Sequence, residues 1–150
     1  MKGRPAGPSQ TRPGVLKMAE ILVIDDDPDI LSLLFDTLSD AGHQVRTEED
    51  GDSGLASAVG LPPDLVLLDW MMPRRSGLEV CHNLRADRLL DGVPVVMLSA
   101  RGTEADIEWG FAAGADAYIV KPFSPRALVW RIESMLTRGR SPLIVAAPED

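Results

Sequence analysis

Short apolar runs alternate with helical patterns along the chain from residue 19 to residue 138. The clearest run, Leu65 to Leu68, contains no polar position, which is typical of a strand buried on both faces in a parallel sheet. It ends abruptly at Asp69. Together with less uniform segments, the pattern predicts five strands, at residues 21–24, 44–47, 65–68, 93–98 and 117–120.

Helical periodicity follows each predicted strand. The first helix begins near Pro28, and an amphipathic stripe with period 3.6 marks its buried face. Asp52 is expected to cap the second helix, Thr103 the fourth, and Ser124 opens the fifth, which ends near Arg138. The stripe of the first helix comprises Ile30, Leu31, Leu34, Phe35 and Leu38. Because parallel strands need crossover connections, the alternation predicts an α/β fold with a sheet covered on both faces.

Residues outside this alternation form two terminal segments. Residues 1–17 are rich in proline and glycine and contain four basic residues but no acid. We therefore expect a disordered basic N-terminal extension, a folded domain over 18–138 that begins at Met18, and a flexible C-terminal tail over 139–150. The tail contains one apolar patch, Leu143 to Val145, between Pro142 and Pro148.

Composition narrows the class of protein. The chain has 150 residues, enough for one domain, and no apolar run approaches the roughly 20 residues of a membrane span. A single cysteine, Cys81, agrees with a reducing compartment, and we expect a cytoplasmic protein without membrane contact. Beyond residue 17 there are 23 acidic and 11 basic residues, so this domain is not expected to bind nucleic acid.

Polar residues follow the apolar runs where the predicted strands end. If the strands are parallel, Asp25, Asp26, Asp69, Ser99 and Lys121 meet at one edge of the sheet, where α/β proteins bind ligands. Three converging carboxylates repel one another unless a cation or a raised pKa compensates. All-oxygen ligands favour Mg²⁺, for which Mn²⁺ can substitute.

The same residues suit phosphoryl chemistry. Lys121 and Ser99 can donate to phosphoryl oxygens, and a carboxylate such as Asp69 can act as the covalent acceptor when a metal and a lysine offset the charge. Lys121 could instead serve only as a salt bridge that neutralises the acidic cluster. That alternative leaves the three acids themselves unexplained.

Four motifs resemble those of receiver domains from two-component response regulators. They are Ile-Leu-Val-Ile-Asp-Asp-Asp-Pro-Asp-Ile, Leu-Val-Leu-Leu-Asp-Trp-Met-Met-Pro, Val-Val-Met-Leu-Ser-Ala and Gly-Ala-Asp-Ala-Tyr-Ile-Val-Lys-Pro-Phe. Their order and spacing match over residues 19–138. The resemblance, that of a stand-alone receiver similar to chemotaxis regulators, implies a flavodoxin-like doubly wound sheet of five parallel strands in the order 2-1-3-4-5, with five helices.

The resemblance also implies a role for each site residue. Asp69 would be the phosphoacceptor, Asp26 a direct metal ligand and Asp25 a ligand acting largely through water, and the backbone carbonyl of Met71 would complete the set. Ser99 would bond the phosphoryl group, Lys121 would pair with it, and Tyr118 would be the rotamer switch. The Lys121–Pro122 bond would be cis. Ala117 and Met71 depart from residues common in the family, and position 71, beside the acceptor, is expected to tune the lifetime of the phosphoryl group.

The implied function is phosphorelay signal transduction. A sensor histidine kinase or a histidine phosphotransfer protein would donate the phosphoryl group from a phosphohistidine. Output would pass to a partner protein or a second copy through the last two helices and the fifth strand, where Trp109 and Trp130 are expected to be exposed. Such a domain catalyses its own phosphorylation and slow dephosphorylation and is not a turnover enzyme.

Three other classes remain as alternatives. A metal-dependent phosphatase of the haloacid-dehalogenase type would carry an acid two residues after the nucleophile, where Met71 stands. A flavin-binding module would need a phosphate loop after the first strand, where Asp25 to Asp27 would repel the anion. A receiver-like interaction module without phosphorylation is disfavoured by the intact acidic set. His43 and His82 are expected to be surface histidines. Cys81 is expected to be a buried, small hydrophobic residue.

Overall fold

The protein is described here by a computed structural model that covers residues 18–138 and 143–145. Within these residues a parallel sheet has the order β2-β1-β3-β4-β5-β6. The predicted order 2-1-3-4-5 is confirmed, and one further strand lies beyond β5. The strands are β1 (Glu20–Ile24), β2 (Gln44–Glu48), β3 (Leu65–Asp69), β4 (Val95–Ser99), β5 (Ala117–Val120) and β6 (Leu143–Val145).

The helices of the described segment connect successive strands. They are α1 (Pro28–Asp40), α2 (Gly51–Gly60), α3 (Gly77–Ala86), α4 (Glu104–Ala113) and α5 (Pro125–Arg138). Helices on both faces explain why β3 and β4 are buried along their whole length and read as apolar runs. None of the described helices is long and apolar enough to cross a membrane.

Two apolar clusters pack against opposite faces of the sheet. Leu34, Leu38 and Ile132 bring α1 and α5 onto one face. On the other face, Ala58 from α2 and Val80 and Cys81 from α3 pack with the buried side of β1, β3 and β4. Cys81 is fully buried, as the sequence predicted. The two layers fix the strand ends, and hence the polar residues that follow them, at one edge of a rigid sheet.

Local capping starts the helices where polar residues meet the apolar pattern. Asp27 caps α1 by accepting from the Asp29 N–H at 2.9 Å, and Thr103 forms a capping box with Asp106 at the start of α4. The prediction for α2 was wrong by two residues, because Asp50 and not Asp52 accepts from the Ser53 N–H, at 2.7 Å.

The predicted stripe of α1 was too wide. Leu31, Leu34 and Leu38 are buried, but Phe35 is 44% exposed because it lies one helical position to the side of Leu34. The helix therefore meets the sheet through a narrow leucine row. A large aromatic ring remains on its outer side.

The C-terminal segment differs from the expectation of a flexible tail. Leu143–Val145 forms β6, which pairs in parallel with β5 in the register Ala117 to Leu143, Tyr118 to Ile144 and Ile119 to Val145. Pairing with a distant strand cannot be inferred from a three-residue apolar patch alone. Residues 1–17, 139–142 and 146–150 lie outside the described residues, so the rest of both terminal predictions stays untested.

A buried ion pair anchors the amino-terminal side of β4 and β5. Arg85 on α3 donates to Asp116 at 2.6 Å and to the carbonyls of Gly114 and Val93 at 2.9 and 2.7 Å. Asp116 also accepts from the Val95 N–H at 2.9 Å. These contacts tie α3 to the beginnings of two strands whose other ends carry Ser99 and Lys121.

Candidate functional site

The carboxyl ends of the strands bring the predicted acidic residues together. Asp25 and Asp26 follow β1, and Asp69 is the last residue of β3. One oxygen from each of the three carboxylates lies within 4.8 Å of the other two. Asp25 and Asp69 are buried, at 0% and 3% exposure, whereas Asp26 is exposed. Asp26 is thus the most solvent-exposed of the three acids.

Lys121, directly after β5, reaches into this cluster. Its Nζ donates to Asp25 Oδ2 at 3.1 Å and to Asp69 Oδ1 at 3.2 Å. Burial disfavours the ammonium, but the charges of Asp25 and Asp69 outweigh that effect and raise the pKa of Lys121. Lys121 is therefore a positive charge placed between two buried carboxylates.

One positive charge does not neutralise three acids. Burial, followed by the charge of Asp25, raises the pKa of Asp69 to about 7, although Lys121 opposes the shift. Near neutral pH, Asp69 is thus poised between its protonated and ionised forms in the absence of a metal. A cation brought to the cluster would favour the ionised form, which is the nucleophilic one.

The donor set fits a hard divalent cation. The three carboxylates supply oxygen only, the ligand type that Mg²⁺ and Mn²⁺ prefer, and no histidine or cysteine of the described residues belongs to this cluster. Met71 follows two residues after Asp69 with a half-exposed side chain, and the role of its carbonyl as a ligand stays a prediction.

Gly77 shapes the loop beside Asp69. Its N–H donates to the Trp70 carbonyl at 2.9 Å, and a Cβ on Gly77 would collide with the carbonyl oxygen of Asp69. The loop that follows β3 can return this closely only because position 77 has no side chain.

A second group of residues connects the site to α4. The Ser99 Oγ, at the end of β4, accepts from the Arg101 N–H at 3.0 Å. Tyr118 is fully buried, and its hydroxyl donates to the Arg101 carbonyl at 2.6 Å. The predicted switch residue therefore lies inside the protein and is held by Arg101, in the loop that follows Ser99. The Lys121–Pro122 peptide bond is cis, as the resemblance implied.

Sequence reasoning missed the part played by Trp70 and Arg101. Trp70 is 8% exposed and meets Tyr118 edge to face, with ring centroids 6.2 Å apart. The Arg101 guanidinium lies 4.8 Å from the centroid of the Trp70 ring and pairs with Asp106 at 3.0 Å. The available signal was the position of Trp70, immediately after Asp69. Nothing in the sequence marked Arg101.

The tryptophans on the last two helices are exposed as predicted, Trp109 at 63% and Trp130 at 59%. The prediction for His43 was wrong. Its ring is buried, Nδ1 accepts from the Ala19 N–H at 3.1 Å, and Nε2 lies 3.1 Å from Glu133 Oε2. His43 thus connects α5 to the residue that precedes β1 through these two contacts. His82 is exposed, as expected.

Comparisons with known proteins agree with this geometry. The family model described as "Response regulator receiver domain" matches residues 21–133. The chain is 44% identical over 119 residues to the DNA-binding response regulator MtrA of Mycolicibacterium smegmatis, covering 79% of this chain and 51% of MtrA. It is 42% identical over 118 residues to the phosphate regulon transcriptional regulatory protein PhoB of Pseudomonas aeruginosa, covering 79% and 52%. The chain spans about half the length of these curated relatives.

Two solved structures match this chain over nearly their whole length. The chemotaxis protein CheY4 of Vibrio cholerae aligns with a TM-score of 0.75 at 32% identity, covering 78% of this chain and 98% of that one. A CheY-like receiver domain protein from Methanospirillum hungatei aligns at 0.75 and 30% identity, covering 81% and 95%. The chain belongs to the response regulator receiver domain family of two-component signalling.

Proposed function

We propose that this domain accepts a phosphoryl group on Asp69 from a phosphohistidine of a sensor histidine kinase or a histidine phosphotransfer protein. The observation that carries the proposal is the placement of Lys121. Its Nζ lies 3.2 Å from Asp69 Oδ1 while two further carboxylates lie close by. An acceptor oxygen, a lysine donor and an oxygen-ligand metal site are the parts that phosphoryl transfer to a carboxylate needs.

The protein residues have distinct tasks in the transfer. One oxygen of ionised Asp69 forms a bond to phosphorus while the bond from phosphorus to the donor's imidazole nitrogen breaks, and the imidazole takes up a proton. Lys121 donates to the transferred oxygens. A Mg²⁺ ion held by Asp25, Asp26, Asp69 and the Met71 carbonyl would supply the positive charge that offsets the phosphoryl oxygens.

The change after phosphorylation would begin at Ser99. Its hydroxyl would turn toward the phosphoryl group. This new contact would compete with the hydrogen bond that the Ser99 Oγ accepts from the Arg101 N–H. The Arg101 carbonyl also accepts from the Tyr118 hydroxyl, and the Arg101 guanidinium lies over the Trp70 ring. A shift of the loop that contains Arg101 would therefore weaken the hydrogen bond of Tyr118. A small displacement at the site would thus change the packing of α4 and β5.

The biological setting follows from this chemistry. The domain is a phosphoacceptor with slow self-catalysed dephosphorylation, and not a turnover enzyme with an external substrate. It acts in the cytoplasm, where it signals through α4, β5 and α5 to an output protein or to a second copy. MtrA is named a DNA-binding response regulator, and an output domain of that kind is one candidate recipient of the signal.

The test is the intact mass of the protein after incubation with acetyl phosphate and Mg²⁺. We expect one phosphoryl adduct, which disappears with EDTA and in the Asp69→Asn variant. The variant must be shown to fold by circular dichroism. Absence of an adduct in folded wild-type protein would refute the proposal and favour an interaction module that works without phosphorylation.

A further inference from the structure

A groove of about 520 Å³ lies between the end of α1 and α5. Asp40 and Ala41 line it from α1 and its cap, and Val129, Trp130 and Glu133 line it from α5; we call it the α1–α5 groove. Its volume falls in the range of roughly 300–1,000 Å³ that is usual for ligand pockets. None of these five residues takes part in the phosphoryl transfer proposed above.

The chain enters the folded domain beside the α1–α5 groove. Met18, the first described residue, is 61% exposed, whereas Ala19 is buried. The Ala19 N–H donates to Nδ1 of His43 at 3.1 Å, and Nε2 of His43 lies 3.1 Å from Oε2 of Glu133. Because Glu133 also lines the groove, two consecutive contacts connect the groove with the point at which residues 1–17 join the domain.

The segment of residues 1–17 is long enough to reach and fill the groove. Its 17 residues can span about 55–60 Å when extended. A segment tethered to its own binding surface acts at an effective concentration of about millimolar, so contacts too weak to hold a separate protein can hold it. Its attachment beside the groove therefore favours this segment over any partner in solution.

The charge of the segment complements that of the groove. Residues 1–17 contain basic residues and no acid, and the basic residues are Lys2, Arg4, Arg12 and Lys17. Among the described residues, the carboxylates of Asp40 and Glu133 and the guanidinium of Arg126 line the groove. Asp36, one turn before Asp40 on α1, is a further exposed acid. A basic segment is thus attracted to this part of the surface.

The prolines of the segment match the aromatic wall of the groove. Proline-rich segments bind grooves lined by aromatic side chains, and residues 1–17 contain Pro5, Pro8 and Pro13. The Trp130 side chain is 59% exposed, and the Arg131 guanidinium lies 5.2 Å from the centroid of its ring. This cation–π contact restrains the ring while leaving much of it accessible.

We propose that residues 1–17 bind in cis to the α1–α5 groove, with their basic side chains beside Asp40 and Glu133 and a proline on Trp130. The bound segment covers apolar surface that is otherwise open to other proteins. The contact needs neither a metal nor a phosphoryl group on Asp69. It is therefore independent of the proposed function.

The test uses the full chain with a nitroxide spin label attached through Ser9→Cys, without metal or phosphodonor. Cys81 is fully buried and should stay unlabelled. In the amide NMR spectrum, we expect the signals of Ala41 and Val129 to lose intensity relative to the sample with the reduced label. The signal of Leu84 on α3, which packs on the opposite face of the sheet, should keep its intensity.

Two exposed substitutions remove the contacts that the groove offers. Asp40→Lys with Trp130→Ala should abolish the loss of intensity at the two groove amides. The matched control, Glu108→Lys with Trp109→Ala, makes the same two changes on α4 and should leave that loss unchanged. Because charge contributes to the contact, high salt should reduce the loss in the control but not alter the groove variant.

A mixed sample distinguishes binding in cis from binding to a second copy. It combines isotope-labelled chain without the spin label and spin-labelled chain without the isotope, and the groove amides should keep their intensity. Loss of intensity in this mixture would assign the groove to the segment of another copy and overturn the proposal. The proposal would also be overturned by full intensity at Ala41 and Val129 in the singly labelled chain, or by a loss that persists in Asp40→Lys with Trp130→Ala.

Discussion

The unfavourable charge of Asp69 predicts that removing it stabilises the metal-free protein. The pKa of Asp69 is raised from 3.8 to about 7, chiefly by burial and by the charge of Asp25. The folded state therefore holds a proton on Asp69 more tightly than the unfolded state does. As a result, the free energy of unfolding falls as pH rises from about 4 to about 7. At pH 8 the full penalty of ionised Asp69 is present.

The size of the penalty follows from the shift. Each pKa unit corresponds to about 1.4 kcal/mol, so ionised Asp69 lowers the free energy of unfolding by up to about 4 kcal/mol. Asp69→Asn keeps an oxygen for Lys121 but removes the charge. Because relaxation of the site and entry of water weaken buried repulsion, we expect the variant to gain about 1–3 kcal/mol at pH 8 and little at pH 4.

Urea unfolding in EDTA, monitored at pH 4, 6 and 8, measures this difference. Asp36→Asn, an exposed acid on α1, is the matched control for the change in net charge and should have no such effect. Added Mg²⁺ should stabilise the wild type and shrink the gap, because it binds the native site preferentially. A variant that is no more stable than wild type at pH 8, or a gap independent of pH, would refute the reasoning.

Three further substitutions test other parts of the structure. Lys121→Ala should leave some phosphorylation by acetyl phosphate but uncouple it from partner binding, and unimpaired binding by the phosphorylated variant would contradict this role. Gly77→Ala should lower the free energy of unfolding by about 1–3 kcal/mol and weaken Mg²⁺ binding, which calorimetry measures. Gly60→Ala, at a position with open space around it, is the control and should change neither quantity. Arg85→Met removes the guanidinium that neutralises the buried Asp116 carboxylate and should lower the free energy of unfolding by about 3–5 kcal/mol in urea unfolding. The exposed Arg88→Met should change it little, and equal stability of these two variants would show that the ion pair is unimportant.

Much of the fold and site could be predicted because both depend on local patterns and chain direction. A buried parallel strand reads as an apolar run, and the residue that ends it must lie at the ligand-binding edge. Asp25, Asp69 and Lys121 were therefore found without any knowledge of side-chain packing. The same logic placed Ser99 at the end of β4.

The errors over the α2 cap and over Phe35 are local, whereas the others concern contacts between segments far apart in sequence. His43 is buried only because α5 brings Glu133 onto it, 90 residues later in the chain. Arg101 acquires its role from Trp70 and Tyr118, and β6 from pairing with β5. Local propensity carries no information on such long-range contacts, which tertiary packing decides.

The central claim is that Asp69 itself becomes phosphorylated in a metal-dependent reaction. Borohydride reduction converts an aspartyl phosphate to homoserine, so peptide mass spectrometry after treatment with acetyl phosphate locates the acceptor. We expect homoserine at position 69 in samples with Mg²⁺ and unmodified Asp69 in samples with EDTA. Homoserine at Asp25 or Asp26, or equal conversion of Asp69 without the metal, would contradict it.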